Sequence, residues 1–463
     1  VACADPMDLH AMDEFAIETD LMAVPFVGTK FEIDSLLDRY NSNTETQAAV
    51  DRFMTQRRAE YGDIEEENES GDAEGLVDNS PIVQLVTSML QQAARQRASD
   101  IHIEALENRV RVRFRIDGVL YIKFNYDIKM LAALIARIKI VSGMDISEKR
   151  KPQDGRMSLM VDHIEYDIRV SILPTVYGEK CVMRLAQKKA LTKSKVDLGL
   201  NKDDLEKFDA LLQNPNGILL VTGPTGSGKS TTLYTVLNEL NSEEVNIITV
   251  EDPVEANMQG INQVQVNTKA ELTFASALRS ILRQDPDIIM IGEIRDAETA
   301  QIAVRASITG HLVLSTLHTN SAASTMARLV DMGVESYLLA DSVFGVIAQR
   351  LVRRLCPACK QEVEATSEEK KILGIEQGKS AKIYHKCGCE KCGQTGYKGR
   401  VGVYEIMSIT PKLRQLISDN VSADELKVAA EEDGMVTLYE NAKKLVAGGT
   451  TTVEELMRIS FEN

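Results

Sequence analysis

Two kinds of apolar spacing, helical and alternating, lead into a third along this chain. Between Pro81 and Arg97, residues Ile82, Val83, Leu85, Val86, Met89 and Leu90 recur at helical intervals. Short stretches at 101–103, 110–116 and 166–170 then alternate apolar with charged residues. Such alternation predicts half-buried strands, and their outer face is rich in arginine. From about Asn216 the rhythm becomes strand, loop, helix, with continuous apolar runs at 218–221, 246–250, 288–291 and 312–314. Runs apolar on both faces, alternating with helices, predict a mainly parallel sheet covered on two sides. Residues 411–463 read as helices, and no internal repeat of fixed period stands out.

The division into domains follows from these shifts. Residues 1–62 read as the closing part of a small domain. The run DIEEENESGDAE at 63–74 is acidic and nearly free of apolar residues, so it repels itself and predicts a linker over 63–80. Residues 81–190 form a small α/β domain with a basic face, 191–352 the parallel-sheet core, 353–402 a cysteine-bearing subdomain, and 403–463 a helical end.

Composition narrows the function classes. A length of 463 residues suits two or three domains, and an apolar fraction of 44% is ordinary for a soluble protein. No apolar run approaches the roughly 18 residues of a membrane span. Residues 1–20 are acidic and hold no Lys or Arg, so no signal peptide is expected, while the opening at Val1 leaves room for an upstream segment. A net charge of −16 argues against nucleic-acid binding, and 5% aromatics without Trp argues against stacking on single strands. Of seven cysteines, five lie between Cys356 and Cys392, which in a chain without an export signal reads as metal binding in a reducing cytoplasm.

The segment Gly223-Pro224-Thr225-Gly226-Ser227-Gly228-Lys229-Ser230 matches the GxxxxGK[ST] phosphate loop, and Thr231 follows it. An apolar strand precedes it and a helix-compatible stretch follows. Glycines let the backbone wrap until N–H groups point at phosphates, and the helix N-terminus adds its positive dipole end. Lys229 is expected on the β- and γ-phosphates and the Ser230 hydroxyl on Mg²⁺. Two acidic clusters follow core strands: Glu251-Asp252-Pro253-Val254-Glu255, and Asp287 to Glu293, where Gly292 stands in the usual Asp place. Strand carboxyl ends bind ligands in such sheets, so both should converge on the loop. His318 follows a further core strand and is placed to report the nucleotide state; His311 is the weaker candidate.

Cys356-Pro-Ala-Cys359 and Cys389-Glu-Lys-Cys392 are two CxxC pairs, enough for one closed tetrahedral zinc site. Cys387 and His385 lie close enough to compete as ligands.

Taken together, GPTGSGKS, ITVEDPVE, RQDPDIIMIGEIRD and GHLVLSTLHTNSA resemble the type II secretion and type IV pilus assembly ATPase family. SDIHIE, RIDGVL and PQDGR resemble its arginine-bearing second N-terminal domain, and VACADPMDL the end of its first. The resemblance implies an α/β architecture: a RecA-like P-loop NTPase core behind a smaller, PAS-like α/β domain, with a zinc-binding insertion and a helical C-terminus. It implies a homo-hexamer with ATP, Mg²⁺ and Zn²⁺, Glu255 as the water-activating acid and Glu293 as the Walker B glutamate. Arg169 and Arg184 would approach the γ-phosphate from the neighbouring domain, with Arg279 and Arg283 on the helix before Walker B. Paired cysteines characterise its assembly and secretion branch rather than its retraction motors. The expected function is pilin polymerisation through an inner-membrane platform protein, at the cytoplasmic face of that membrane. The alternative is type II secretion, with a nucleic-acid translocase and a non-hydrolysing scaffold as rivals from other classes.

Overall fold

The structure, a computed structural model, describes residues 81–187, 194–376 and 378–461, together with 2–3, 13, 24, 26–28 and 33. The acidic run at 63–74, and most of the small domain expected over 1–62, lie outside the described residues. Ala2–Cys3 and Phe26–Val27 pair in parallel. The chain divides into two compact units, Val1–Ala186 and Gln187–Asn463.

In the first unit, α1 (Pro81–Arg95) is followed by β1 (Ala98–Ala105), β2 (Arg109–Ile116), β3 (Val119–Asp127), α2 (Leu131–Val141), β4 (Gln153–Val161), β5 (Ile164–Thr175) and β6 (Gly178–Gln187). The strands form one six-stranded sheet in the order β3-β2-β1-β6-β5-β4. The alternation read from sequence is the pleat. Ile101, Ile103, Val110, Val112, Phe114, Ile168 and Val170 all point into a core shared with the apolar stripe of α1. Their neighbours make the opposite face, where Arg111 Nε and Arg113 Nη2 donate to Glu104 at 2.9 and 2.6 Å. Two acidic side chains, Asp100 and Glu104, are thus ringed by the arginines that gave the sequence its basic look.

The second unit holds α3 (Lys202–Leu212), β7 (Gly217–Thr222), α4 (Lys229–Leu240), β8 (Ile247–Glu251), β9 (Asn262–Gln265), α5 (Phe274–Ile281), β10 (Ile288–Ile291), α6 (Ala297–Ile308), β11 (Leu312–Leu317), α7 (Ala322–Asp331), α8 (Ser336–Ser342) and β12 (Val343–Leu355). There follow β13 (Gln361–Glu364), α9 (Ser367–Leu373), β14 (Lys382–His385), β15 (Tyr397–Ser408), α10 (Pro411–Ser418), α11 (Ala423–Glu432), α12 (Leu438–Ala447) and α13 (Val453–Phe461). A seven-stranded sheet runs β9-β8-β10-β11-β7-β12-β15, parallel except where β12 meets β15. Strands β7, β8, β10 and β11 are buried on both faces. Ile218, Leu220, Ile289, Ile291 and Val313 enter one core, whereas Leu219, Val221, Ile288, Met290, Leu312 and Leu314 enter the other. This is why those runs carry no polar alternation. Because β7, β8, β10 and β11 are parallel, Thr222, Glu251, Ile291 and Leu317 end at one edge of the sheet, and the loops beyond them meet there.

Candidate functional site

At that edge the phosphate loop turns from β7 into α4. Gly223, Gly226 and Gly228 have φ of 147°, 81° and 92°, a region side chains rarely adopt. A Cβ on Gly223 would lie 2.4 Å from the Gln349 carbonyl oxygen, so only glycine lets the loop close against β12. Gly228 caps α4 without a side-chain hydrogen bond, and no acidic residue occupies the first turn, leaving the helix N-terminus open to an anion. The Ser227 hydroxyl is buried without a partner, and Ser230 is exposed at the first turn. Lys229, only 9% exposed, donates to the carbonyls of Gly223 and Pro224 at 2.8 and 3.1 Å. Burial pushes its ammonium down to about 8, against the pull of Glu293 and with Arg350 adding to the push. A buried ammonium, an orphaned hydroxyl and an uncapped helix start fit a phosphate chain.

Glu293 lies just beyond β10 and faces this lysine. Its carboxylate takes a hydrogen bond from Arg295 and stands 3.4 Å from His318 Nε2. Arg295 also lies 4.0 Å from Asp252. Burial and the nearby Lys229 lower the His318 pKa from its ordinary value, so the imidazole is neutral near pH 7. The His318 loop is tied to the phosphate-loop strand by Thr319, whose N–H donates to Thr222 Oγ1 at 3.0 Å. His311 sits elsewhere, its Nδ1 bonded to the Ala306 carbonyl oxygen at 2.9 Å.

The other acidic cluster splits into two roles. Glu251 is 4% exposed and takes hydrogen bonds from Tyr234, from Thr249 at 2.6 Å and from Gln263 at 3.1 Å. Glu255 is half-buried farther along the loop, and its N–H donates to Tyr234 Oη at 3.2 Å. Four residues of this neighbourhood escaped the sequence reading. Arg295 was legible as a cation two places after Glu293. Tyr234, Gln349 and Arg350 looked like ordinary helix and strand positions. Gln349 accepts from Thr232 at 2.8 Å, and Arg350 donates to Asn320 in the His318 loop.

The four predicted arginines fall two in each unit. In the first unit Arg169 and Arg184 line a cleft of about 440 Å³ with Asp154, Arg156 and Ser171. Arg184 donates to Asp100 at 3.0 Å and keeps its side chain 64% exposed. In the second unit Arg279 and Arg283 lie on the exposed side of α5 and its C-terminal turn. Arg279 is paired with Glu298, and Arg283 donates to the Arg279 carbonyl oxygen at 2.7 Å.

The two CxxC pairs meet. The sulfurs of Cys356, Cys359, Cys389 and Cys392 all lie within 4.8 Å of one another, with neighbouring pairs at 3.8 to 3.9 Å. Zinc bound tetrahedrally to four sulfurs at about 2.3 Å requires edges of about 3.8 Å, so the cluster fits that ion. The N–H groups of Cys389 and Gly396 donate to Cys392 Sγ at 3.2 Å, as a thiolate would require. His385 is held by Glu369 at 2.7 Å, and Cys387 is exposed outside the cluster.

Residues 75–458 match the family described as "Type II/IV secretion system protein". The chain is 50% identical over 83% of its length to the Type II secretion system protein E of Pseudomonas aeruginosa, covering 76% of that protein. It is 45% identical over 99% of its length to the type IV pilus assembly ATPase PilB of Myxococcus xanthus, covering 81% of it. Among solved structures, the pilus retraction motor PilT with bound ADP is 29% identical, with a TM-score of 0.55 over 81% of this chain and 96% of that one. The Legionella pneumophila ATPase DotB, at 22% identity and a TM-score of 0.59 over 81% of this chain and 95% of that one, shares the fold. Phosphate loop, acidic strand ends and cysteine cluster thus sit in a chain that belongs to the type II/IV secretion system protein family.

Proposed function

We propose that this chain hydrolyses ATP as a subunit of a homo-hexameric ring and drives type IV pilus assembly, polymerising pilin through an inner-membrane platform protein. The observation that carries this reading is the convergence of Lys229, Glu293 and His318 beside an uncapped helix N-terminus. Residues 223–231 hold the phosphates, with Lys229 on the β- and γ-oxygens, and Ser230 would hold Mg²⁺, which would neutralise charge there. Glu255 takes the proton of the attacking water as its oxygen bonds to the γ-phosphorus and the bond to ADP breaks. Glu293 would act on the side where Mg²⁺ binds, and His318, 3.4 Å from Glu293, reports the γ-phosphate. Arg169, Arg184, Arg279 and Arg283 stabilise the charge that develops on the transferred group. Guanidiniums delivered by a separate unit make turnover depend on domain position, which a motor requires.

The six-stranded unit is read as PAS-like and the seven-stranded one as RecA-like. The four cysteines hold zinc as a closed, structural site. Among the described residues no helix is long and apolar enough to cross a membrane. The proposed place of work is the cytoplasmic face of the inner membrane, reached through a partner. Type II secretion is the second reading, supported by the 50% identity to a type II secretion protein. Expression in strains lacking either the pilus motor or the secretion motor separates the two. Restored pili support the first reading, and restored secretion without pili overturns it.

A further inference from the structure

We propose that Tyr234 is a positioning residue, a clamp that ties the loop bearing Glu255 to the helix that binds phosphate. The proposal rests on Glu255 being the water-activating acid. Tyr234 stands on α4 about one turn beyond Ser230 and is 1% exposed. Its hydroxyl does two things at once: it donates to Glu251 Oε2 and accepts the Glu255 N–H at 3.2 Å. One phenol oxygen therefore joins the end of β8 to the loop that follows it.

The second attachment of that loop comes from Gln263 on β9. Its amide donates to Glu251 Oε1 at 3.1 Å and to the Ala256 carbonyl at 3.0 Å, and its oxygen accepts from the Met258 N–H at 2.7 Å. Glu251 is thus enclosed by three donors, Tyr234, Thr249 and Gln263, and turned away from solvent. It anchors the loop rather than acting on water, which separates its part from that of Glu255. Burial, then the Glu251 carboxylate, drives the Tyr234 pKa upward, so the phenol keeps its proton and remains a donor across working pH.

The consequence is mechanical. A general base works only when held within a fraction of an ångström of its water, and a shift of about 1 Å costs roughly a hundredfold. Phosphates at the start of α4 and the base beyond β8 are linked through a single rigid side chain, so any tilt of α4 moves Glu255 with it. Phe at 234 would fill the same space while losing both bonds. No group that touches nucleotide would change.

The test uses the full chain with Mg²⁺, ATP turnover for kcat and KM, and a fluorescent ADP analogue for binding. Tyr234→Phe is expected to lower kcat roughly 10- to 100-fold with KM and analogue affinity within about threefold. If the clamp acts through Glu251, the double variant with Glu251→Gln loses no more than the worse single variant. A kcat loss below about threefold, a matching loss of binding, or additive losses overturns the proposal. Should Tyr234→Phe not fold, Glu251→Gln alone carries the kcat-against-KM split. Wild-type chain without any turnover would instead overturn the reading of Glu255, leaving the two failures distinct.

Discussion

Raising the pH from about 7 to about 9 should weaken ATP binding about tenfold, because Lys229 enters the reaction largely uncharged at the higher value. Without nucleotide its ammonium is held at about 8 by burial, with Glu293 opposing and Arg350 assisting. Roughly nine-tenths of the lysine is charged at pH 7 and roughly one-tenth at pH 9. Among phosphates the charged form is favoured, so binding takes up a proton over this window. Affinity is complete below the free-state value and lost as pH rises through it, by about 1.4 kcal/mol at pH 9. The nucleotide-free fold moves the other way. A lysine whose pKa is depressed on folding opposes folding most at low pH, and that penalty fades as pH climbs from 8 toward the ordinary lysine value. His318 is already neutral here and adds no step. The assay is the dissociation constant of Mg·ATP across this range, with calorimetry in two buffers of different ionisation enthalpy to count protons. Lys229→Arg keeps its charge and serves as the control. A wild-type constant that stays flat to pH 9, or an equal slope in the arginine variant, refutes the reasoning.

Other outcomes follow from single features of the structure. Metal analysis should find one zinc per chain, and Cys359→Ser or chelation should lower the thermal stability of the cysteine-bearing region while ADP-analogue binding survives. Gly223→Ala should cost on the order of 2–4 kcal/mol in denaturant unfolding, because φ is 147° and the new Cβ would meet the Gln349 carbonyl at 2.4 Å. Glu405, 3% exposed, accepts the first N–H groups of α7 and α12 at 2.8 and 3.2 Å. Glu405→Ala should therefore cost about 2–4 kcal/mol by the same measurement, and an unchanged midpoint would contradict the double cap.

What could be read from sequence was local. The four parallel strands 218–221, 246–250, 288–291 and 312–314 declared themselves because burial on both faces removes polar positions. The phosphate loop did so because its glycines and lysine act within eight consecutive residues. Strands β12 and β15 did not. Their pairing, Val346 with Met407 for instance, spans the cysteine-bearing insertion, and the Gln-Arg and Arg-Arg steps in β12 mask its burial. CxxC spacing pointed to a cysteine cluster but left Cys387 and His385 beside it as rival ligands, and only the fold shows the four sulfurs together while His385 pairs with Glu369. Tyr234 was illegible because an aromatic on a core helix usually does nothing but fill space, and only the position of Glu251 gives its hydroxyl a role.

The central claim is that the loop at 223–230 grips a triphosphate which Glu255 and Glu293 help to cleave. Phosphate release from Mg·ATP by the assembled full-length chain tests it most directly, with Lys229→Ala and Glu293→Gln measured alongside. The account predicts steady turnover for the wild type, no turnover for Lys229→Ala, and retained ATP binding without turnover for Glu293→Gln. Assembled wild-type protein that releases no phosphate, or a Lys229→Ala variant that releases it at the wild-type rate, would contradict it.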